Sequence, residues 1–449
     1  MNDIITHIPP RKIILHPRRQ KKIINCVSIL YYRQGACYYL SVSKIAEAVK
    51  IRDFKQEAKD IQAKLVEWRR WCHRRPGVGF AVEETADYIA ARLEDWGVET
   101  ERGVGKTGVV GIVRGSRPGP TIGVRVDMDA LPIQEENTHD FVSKYPGKMH
   151  ACGHDGHIAM GLGTARLLSR HRQDLAGTVI IIFQPGEEGW RGAKAVIDDG
   201  VLQRHQVEAI VAGHIGTLSP ELTLGQVGIT FGPIMAAVNN FEAWVIGRGG
   251  HGALPHNTVD PVVISAEIIT AWQRIISREI PPLYPAVLTV GQIQGGSTHN
   301  IIPTEVYLQG TIRYFHQSAG DILRTRLEEV MAGICKTWKA QYKFKLDQGY
   351  PPVINDPQFT KFFRKIAASL AGPENVKVLE FPTMVSEGVS FFLQAVPGTF
   401  FLLGAGNTGT DSPHHHGRFD FDESILWLGT ALLTETAWQY AEGKYQQCN

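Results

Sequence analysis

The chain has 449 residues, with 43% hydrophobic and 20% charged side chains, which is ordinary for a water-soluble globular protein. That length exceeds what one hydrophobic core usually serves, so two domains, or one domain with a large insertion, are expected. The formal net charge is +2, but residues 1–50 hold nine Lys or Arg against two acidic residues, a local +7 that leaves −5 for the remainder. No basic stripe with interleaved aromatics recurs in the body of the chain, which argues against a nucleic-acid binder. Six cysteines are too sparse for a disulfide-stapled secreted domain, so reduced thiols and a cytoplasmic location are expected.

Within residues 1–50, Arg33 and Gln34 interrupt the apolar patch from Ile23 to Leu40 and no small-residue cleavage site follows it. This favours a basic extension, disordered or supplied by a mis-assigned start, over a signal peptide or membrane anchor. From Ile51 to Leu93 the pattern is helical. Ile61, Leu65, Trp68 and Trp71 recur at three- and four-residue steps, and a second run, Glu83 to Trp96, ends at Gly97. His73, close to the helix-ending Pro76, reads as structural.

Short apolar runs follow at Val109 to Val113, Thr121 to Val126, Gly177 to Phe183 and Ala209 to Gly213, with helical segments at Ile158 to Leu168 and Ala193 to Asp198. Strands alternating with helices predict an α/β fold with a mostly parallel central sheet. In such a sheet, ligands are met at the carboxyl ends of the strands. Asp127 and Asp129, then Glu187 and Glu188, then His214 each stand after a run of that kind.

The pattern changes near Phe231. A strand at Phe241 to Ile246, a Gly-rich turn, a helix at Asp260 to Glu279, strands at Ala286 to Gln292 and Glu305 to Tyr314, a helix at Asp321 to Trp338 and a strand at Tyr342 to Leu346 follow. This β-α-β-β-α-β order is ferredoxin-like. It predicts a small α+β domain at 232–345 inserted between two parts of the first domain, 51–231 and 346–449. The second part holds a helix at Asp356 to Ala371, strands at Val376 to Glu380 and Thr399 to Leu403, and the triplet His414-His415-His416.

The chemistry concentrates between Met149 and His157, where three histidines, a cysteine and an aspartate fall within nine residues. A working metal site needs further donors from elsewhere. Glu187 and Glu188 are one source: one carboxylate can bind a metal while its neighbour takes a proton from metal-activated water. His214 and one member of the triplet bring the donors to five, together with Cys152, His154 and Glu188. A triplet standing alone is read as readily as surface decoration. Five donors exceed what a single catalytic zinc takes, so a two-metal centre is implied.

These motifs resemble the M20 metallopeptidase family, in particular its amidohydrolase branch of N-acyl-amino-acid, hippurate and auxin-conjugate hydrolases. The likeness is carried by Asp127-Met128-Asp129-Ala130-Leu131-Pro132, His150-Ala151-Cys152-Gly153-His154-Asp155, Glu187-Glu188-Gly189, His214, Gly249-Gly250-His251-Gly252-Ala253 with Pro255-His256, and Asn300-Ile301-Ile302-Pro303, and it extends from about Leu65 onward. It implies a zinc-peptidase-like catalytic domain, an inserted lid or dimerisation domain, and metal-dependent hydrolysis of the amide bond in N-acyl amino acids. By the same resemblance, Cys152, His154, Glu188, His214 and His415 hold two divalent ions per subunit (Zn, Mn, Co or Ni), with Cys152 as the bridge.

The resemblance further implies Glu187 as general base, His251 as oxyanion stabiliser, Asp129 as a residue orienting a ligand from behind, and Asn300 and Arg313 as holders of the substrate carboxylate. His150 and His157 are expected to make supporting hydrogen bonds. The expected partner is a small amino-acid conjugate, with no nucleic acid or membrane, and a homodimer through the inserted domain is compatible. A dipeptidase or carbamoyl-amino-acid hydrolase would share the ligands but not the pocket, and a non-catalytic metal-binding protein would have no use for Glu187. Two departures stand out. The family commonly has Ser-Glu-Asp-Phe where this chain has Ser386-Glu387-Gly388-Val389, and Leu-His where it has Cys72-His73.

Overall fold

The computed structural model describes residues 28–33, 36–41, 52–406 and 412–445. The chain divides into two compact units, Met1–Asp53 and Phe54–Asn449. In the first, β1 (Ser28–Arg33) and β2 (Ala36–Ser41) pair antiparallel, with Ser28 opposite Ser41 and Arg33 opposite Ala36. Tyr, Ile and Leu dominate both strands and suit a pleated backbone. The hairpin falls within the segment expected to be disordered or mis-assigned, and the rest of 1–51 lies outside the described residues.

The second unit begins with helices at Phe54–Asp60, Gln62–His73 and Glu83–Asp95. Strands β3 (Glu99–Val104), β4 (Gly108–Arg114), β5 (Arg117–Asp127), β6 (Ala176–Gln184), β7 (Ala209–Gly216) and β8 (Val227–Ile229) follow. Next come β9 (Pro233–Met235), β10 (Ala237–Ile246), β11 (Gly250–His251), β12 (Ala286–Gly295), β13 (Ile301–Ile302), β14 (Glu305–Tyr314), β15 (Gln341–Tyr350) and β16 (Val353–Ile354). The series closes with β17 (Val376–Val378) and β18 (Gly398–Gly404).

Eight strands form the central sheet in the order β17-β8-β18-β7-β5-β6-β4-β3. The pairs β5–β6, β5–β7, β7–β18 and β8–β17 are parallel, while β3–β4, β4–β6 and β8–β18 are antiparallel. It is the mixed, mostly parallel sheet of an α/β fold. Strands β6 and β7 are almost wholly buried, as unbroken apolar runs require when both faces are covered. Helix His154–Arg170 lies on the sheet, packed against Gln62–His73 and Leu426–Ala441.

A second sheet, ordered β12-β14-β10-β15, is antiparallel throughout. With helices Pro261–Arg278 and Gln317–Thr337, its elements run strand, helix, strand, strand, helix, strand. Along β10, buried Phe241, Ala243 and Val245 alternate with more exposed Asn240, Glu242 and Trp244, so one face is packed. That face shares a core with Trp272 and Leu327, separate from the core of the larger sheet. Asp260 and Asp356 start helices as expected, each accepting a backbone N–H ahead of a proline in the first turn. Among the described residues, no helix is long and apolar enough to cross a membrane.

Several elements escape the sequence reading, most of them short. β3 is a mostly polar edge strand, and β8 has three residues. Helix Leu426–Ala441 is buried except along a narrow stripe of half-buried Trp427, Glu435 and Gln439, so its 3.6-residue alternation is faint.

Candidate metal centre

The parallel order of β5, β6 and β7 brings their carboxyl ends side by side, and the polar residues collect there. β5 leads to Asp127 and Asp129, β6 to Glu187 and Glu188, and His214 lies near the end of β7. Opposite them, helix His154–Arg170 starts after Gly153. That residue sits at φ +86°, and a Cβ there would come within 2.9 Å of Ile215 Cγ2. Only glycine turns the chain this tightly between Cys152 and His154.

Asp129 ties these pieces together. Its carboxylate accepts the backbone N–H groups of Glu187 at 2.8 Å and Glu188 at 3.1 Å, while its backbone carbonyl accepts from His154 Nδ1 at 2.8 Å. The orienting role expected of Asp129 thus divides in two: the carboxylate shapes the Glu187–Glu188 turn, and the main chain sets the ring of His154.

Hydrogen bonds fix which ring nitrogens can bind an ion. His154 donates from Nδ1 to Asp129, leaving Nε2 with a lone pair, and that buried atom has no hydrogen-bond partner. His214 donates from Nδ1 to the Ile215 carbonyl at 2.9 Å, which directs its Nε2 lone pair to Cys152 Sγ, 3.5 Å away. His157 is occupied on both sides, by Asp127 Oδ1 at 2.5 Å and by the Ile215 N–H at 2.9 Å. Its ligand role is excluded even though it stands within a cluster with His154 and His214.

His150 departs from expectation. It is buried, and neither ring nitrogen has a hydrogen-bond partner. Burial holds it neutral, with a pKa pushed down to about 3. Its ring lies 6.3 Å from that of His73, whose two ring nitrogens already meet Asp155 and Glu135.

Glu188 Oε1 lies 3.3 Å from His415 Nε2 and 3.9 Å from His154 Nε2. Donors each about 2.0–2.2 Å from a shared ion can stand up to about 4.2 Å apart, so these separations suit common coordination. Cys152, Glu188 and His415 form one close group of donors, and His154, Glu187 and Glu188 another. The structure therefore brings together Cys152, His154, Glu188, His214 and His415, with Glu187 beside them. His415 has φ +65°, a strained backbone for a residue with a side chain.

The protein's own charges separate the two glutamates. Burial, then the nearby Glu387 and Glu188, push the Glu187 carboxyl well above its ordinary range. Burial opposes ionisation of Glu188 as well, but His415 and His154 hold its carboxyl below the ordinary range. Burial also raises the Cys152 thiol well above its usual value, so the sulfur needs cations or donors around it to ionise.

A cavity of about 260 Å³ opens on this cluster, with Leu218, Met235 and Val385 as an apolar wall. Gly388 donates its N–H to Glu187 Oε1 at 2.9 Å. Arg125, a lone charge inside an apolar strand, binds Gln184 at 2.7 Å, Glu387 at 2.8 Å and Asp127 at 2.9 Å. Tyr350 donates its hydroxyl proton to the Glu187 carbonyl. The sequence reading did not single out Arg125 or Tyr350; an arginine between Val124 and Val126 was the available signal for the first.

The remaining predicted residues lie elsewhere. His251 on β11 and Asn300 are exposed, and Arg313 on β14 is half-buried, donating to Thr311 Oγ1. None of the three lines the cavity.

A sequence profile of peptidase family M20/M25/M40 matches residues 123–439. The N-acyl-L-amino acid amidohydrolase of Geobacillus stearothermophilus is 42% identical over 68% of this chain and 81% of its own. IAA-amino acid hydrolase ILR1-like 4 of Arabidopsis thaliana is 39% identical over 84% of this chain and 85% of its own. Among solved structures, the YXEP protein of Bacillus subtilis, described as a dinuclear metal-binding peptidase from the M20 family, superposes with a TM-score of 0.74 at 34% identity. That match covers 86% of this chain and 99% of the other.

Proposed function

Because the chain belongs to the M20/M25/M40 peptidase family and is thus a hydrolase of amide or peptide bonds, we propose that it releases amino acids from N-acyl conjugates. The observation that carries this reading is the spare carboxylate. Glu188 faces His154 and His415, whereas Glu187, held by the Gly388 N–H, stays beside the cluster with a raised proton affinity. That is the disposition of a base next to a ligand.

Cys152, His154, Glu188, His214 and His415 would hold two divalent ions (Zn, Mn, Co or Ni). Bound there, such ions supply Lewis acidity and make water a nucleophile at neutral pH. Glu187 accepts the proton of the attacking water and returns it to the leaving amine. The wall of Leu218, Met235 and Val385 suits an apolar acyl group.

His251, Asn300 and Arg313 serve oxyanion and carboxylate only if the four-stranded unit closes or a second copy presents them. We therefore assign 232–345 as a lid and homodimer contact between catalytic parts 51–231 and 346–449. Free thiols at Cys72, Cys152 and Cys335 favour a reducing, cytoplasmic setting.

The test is amine release from N-acetyl and N-benzoyl amino acids by protein loaded with Mn, Zn or Co, with dipeptides and carbamoyl amino acids alongside. Turnover of the acyl amino acids, lost in Glu187→Gln by about 10²–10⁴-fold at unchanged metal content, is expected. Cleavage of dipeptides or carbamoyl amino acids alone would replace the substrate class, and full activity in Glu187→Gln would remove the base.

A further inference from the structure

We infer that His414 positions the sulfur of Cys152 as a hydrogen-bond donor and is not itself a metal ligand. This rests on the metal-centre reading above but concerns a residue that reading leaves unused. By proximity alone, Cys152, His214 and His414 would count as three donors to one ion. The directions of their hydrogen bonds separate them.

The backbone N–H of Thr217 points at His414 Nε2, 3.0 Å away, so that nitrogen carries the lone pair and Nδ1 carries the proton. Nδ1 lies 3.6 Å from Cys152 Sγ, within reach of a bond to sulfur. His214 meets the same sulfur with the opposite polarity, its ring centroid 5.4 Å from that of His414. Its Nδ1 proton is committed to the Ile215 carbonyl, so its Nε2 offers a lone pair to whatever the sulfur carries or to a cation. The bonds therefore run one way: Thr217 amide to His414, His414 to sulfur, sulfur to His214, His214 to carbonyl. A ligand needs a free lone pair on the sulfur side, and His414 has a proton there.

The seat of the ring is built. Gly216 has φ +130°, and a Cβ at that position would stand 2.2 Å from His414 Nε2, so a side chain there would expel the imidazole. On another side the ring lies against Phe419, 4.4 Å between centroids. An N–H held against a buried sulfur stabilises its anionic form and lowers the energy of the sulfur lone pairs, a lever known to tune metal–thiolate bonds.

The experiment loads the full chain with Co(II) and reads three quantities: cobalt per chain, affinity by chelator competition, and the near-ultraviolet sulfur-to-cobalt charge-transfer band. His414→Phe removes the donor, and His414→Asn keeps an N–H near the same place. Gly216→Ala displaces the ring while leaving residue 414 intact. His414→Phe should keep the wild-type cobalt content at saturation, bind about 10–100-fold more weakly, and shift the band to longer wavelength. Gly216→Ala should behave alike, and His414→Asn should return both readouts toward wild type. His415→Ala, by contrast, should lose cobalt at saturation.

A loss of one cobalt in His414→Phe would make His414 a ligand and overturn the inference, as would an unchanged band and affinity. Should the Phe variant fail to fold, the Asn and Ala variants decide by the same two readouts. A Cys152→Ser protein that retains the band would instead overturn the metal-centre reading itself, and this inference with it.

Discussion

The Tyr350 hydroxyl donates to the backbone carbonyl of Glu187 and accepts the N–H of Arg191 at 3.1 Å, so the last residue of β15 is bolted to the turn that carries both glutamates. Arg191 reinforces the link through Asp347 Oδ1 at 2.5 Å. Tyr350→Phe keeps the ring and removes both bonds. We expect kcat to fall about 10–100-fold with KM nearly unchanged, because Glu187, the proposed base, is displaced and not the pocket wall. Metal content should match wild type, and steady-state kinetics with metal analysis checks both.

Asp129 satisfies two backbone amides and orients one histidine. Asp129→Ala leaves the Glu187 and Glu188 N–H groups without an acceptor, which should cost about 2–4 kcal/mol of stability by urea unfolding. Because the Glu188 turn loosens, metal affinity should drop about 10–100-fold. Wild-type affinity in a destabilised variant would mean that the turn is held by other contacts.

At Gly388, an added Cβ would meet Ala193, Glu187 and Gln184 at 3.5–3.7 Å, ordinary contact distances. Gly388→Ala should therefore fold, bind metal and gain about 0.4–1 kcal/mol through a stiffer unfolded chain. A thermal melt decides. A lower Tm would show that the position needs glycine for its backbone.

His73 is buried between Asp155 and Glu135, at 2.8 and 3.1 Å. Burial opposes its charge, yet the Asp155 and Glu135 carboxylates raise its pKa above the ordinary value, and in return His73 lowers that of Glu135 against the same burial. The raised histidine stabilises the fold fully below its unfolded pKa of about 6.5 and ceases to do so as pH rises through its folded value. The lowered glutamate contributes above about 4.3 and loses that as pH falls. His73→Gln should thus be most destabilising, by about 1–3 kcal/mol, between roughly pH 4.5 and 6.5. The difference from wild type should shrink as pH rises above that window, and a gap constant in pH would refute the charge argument.

Much of this was legible from residues alone. Unbroken apolar runs located β4 to β7, and the polar residues just beyond them located the centre, because a parallel sheet gathers its strand ends. What stayed hidden was what spacing does not encode. The division of labour within His414-His415-His416 depends on which nitrogen meets the Thr217 amide, a contact between residues 197 positions apart. The isolation of His150 and the reach of Tyr350 depend likewise on packing between distant segments. Helix Leu426–Ala441 was hidden for the opposite reason, being buried over most of its surface.

That helix follows in sequence nearly everything it packs against, and Arg69 meets Asp420 at a sequence separation of 351. The four-stranded unit is continuous in the chain and can close its own core early, whereas the larger sheet stays uncovered along one flank until residues beyond 425 arrive. Topology therefore predicts an order of assembly: the insertion can be finished while its host is still open, and loop closure over hundreds of residues slows the host. Helix His154–Arg170, which starts at the candidate centre, gains Leu426–Ala441 as a neighbour only then.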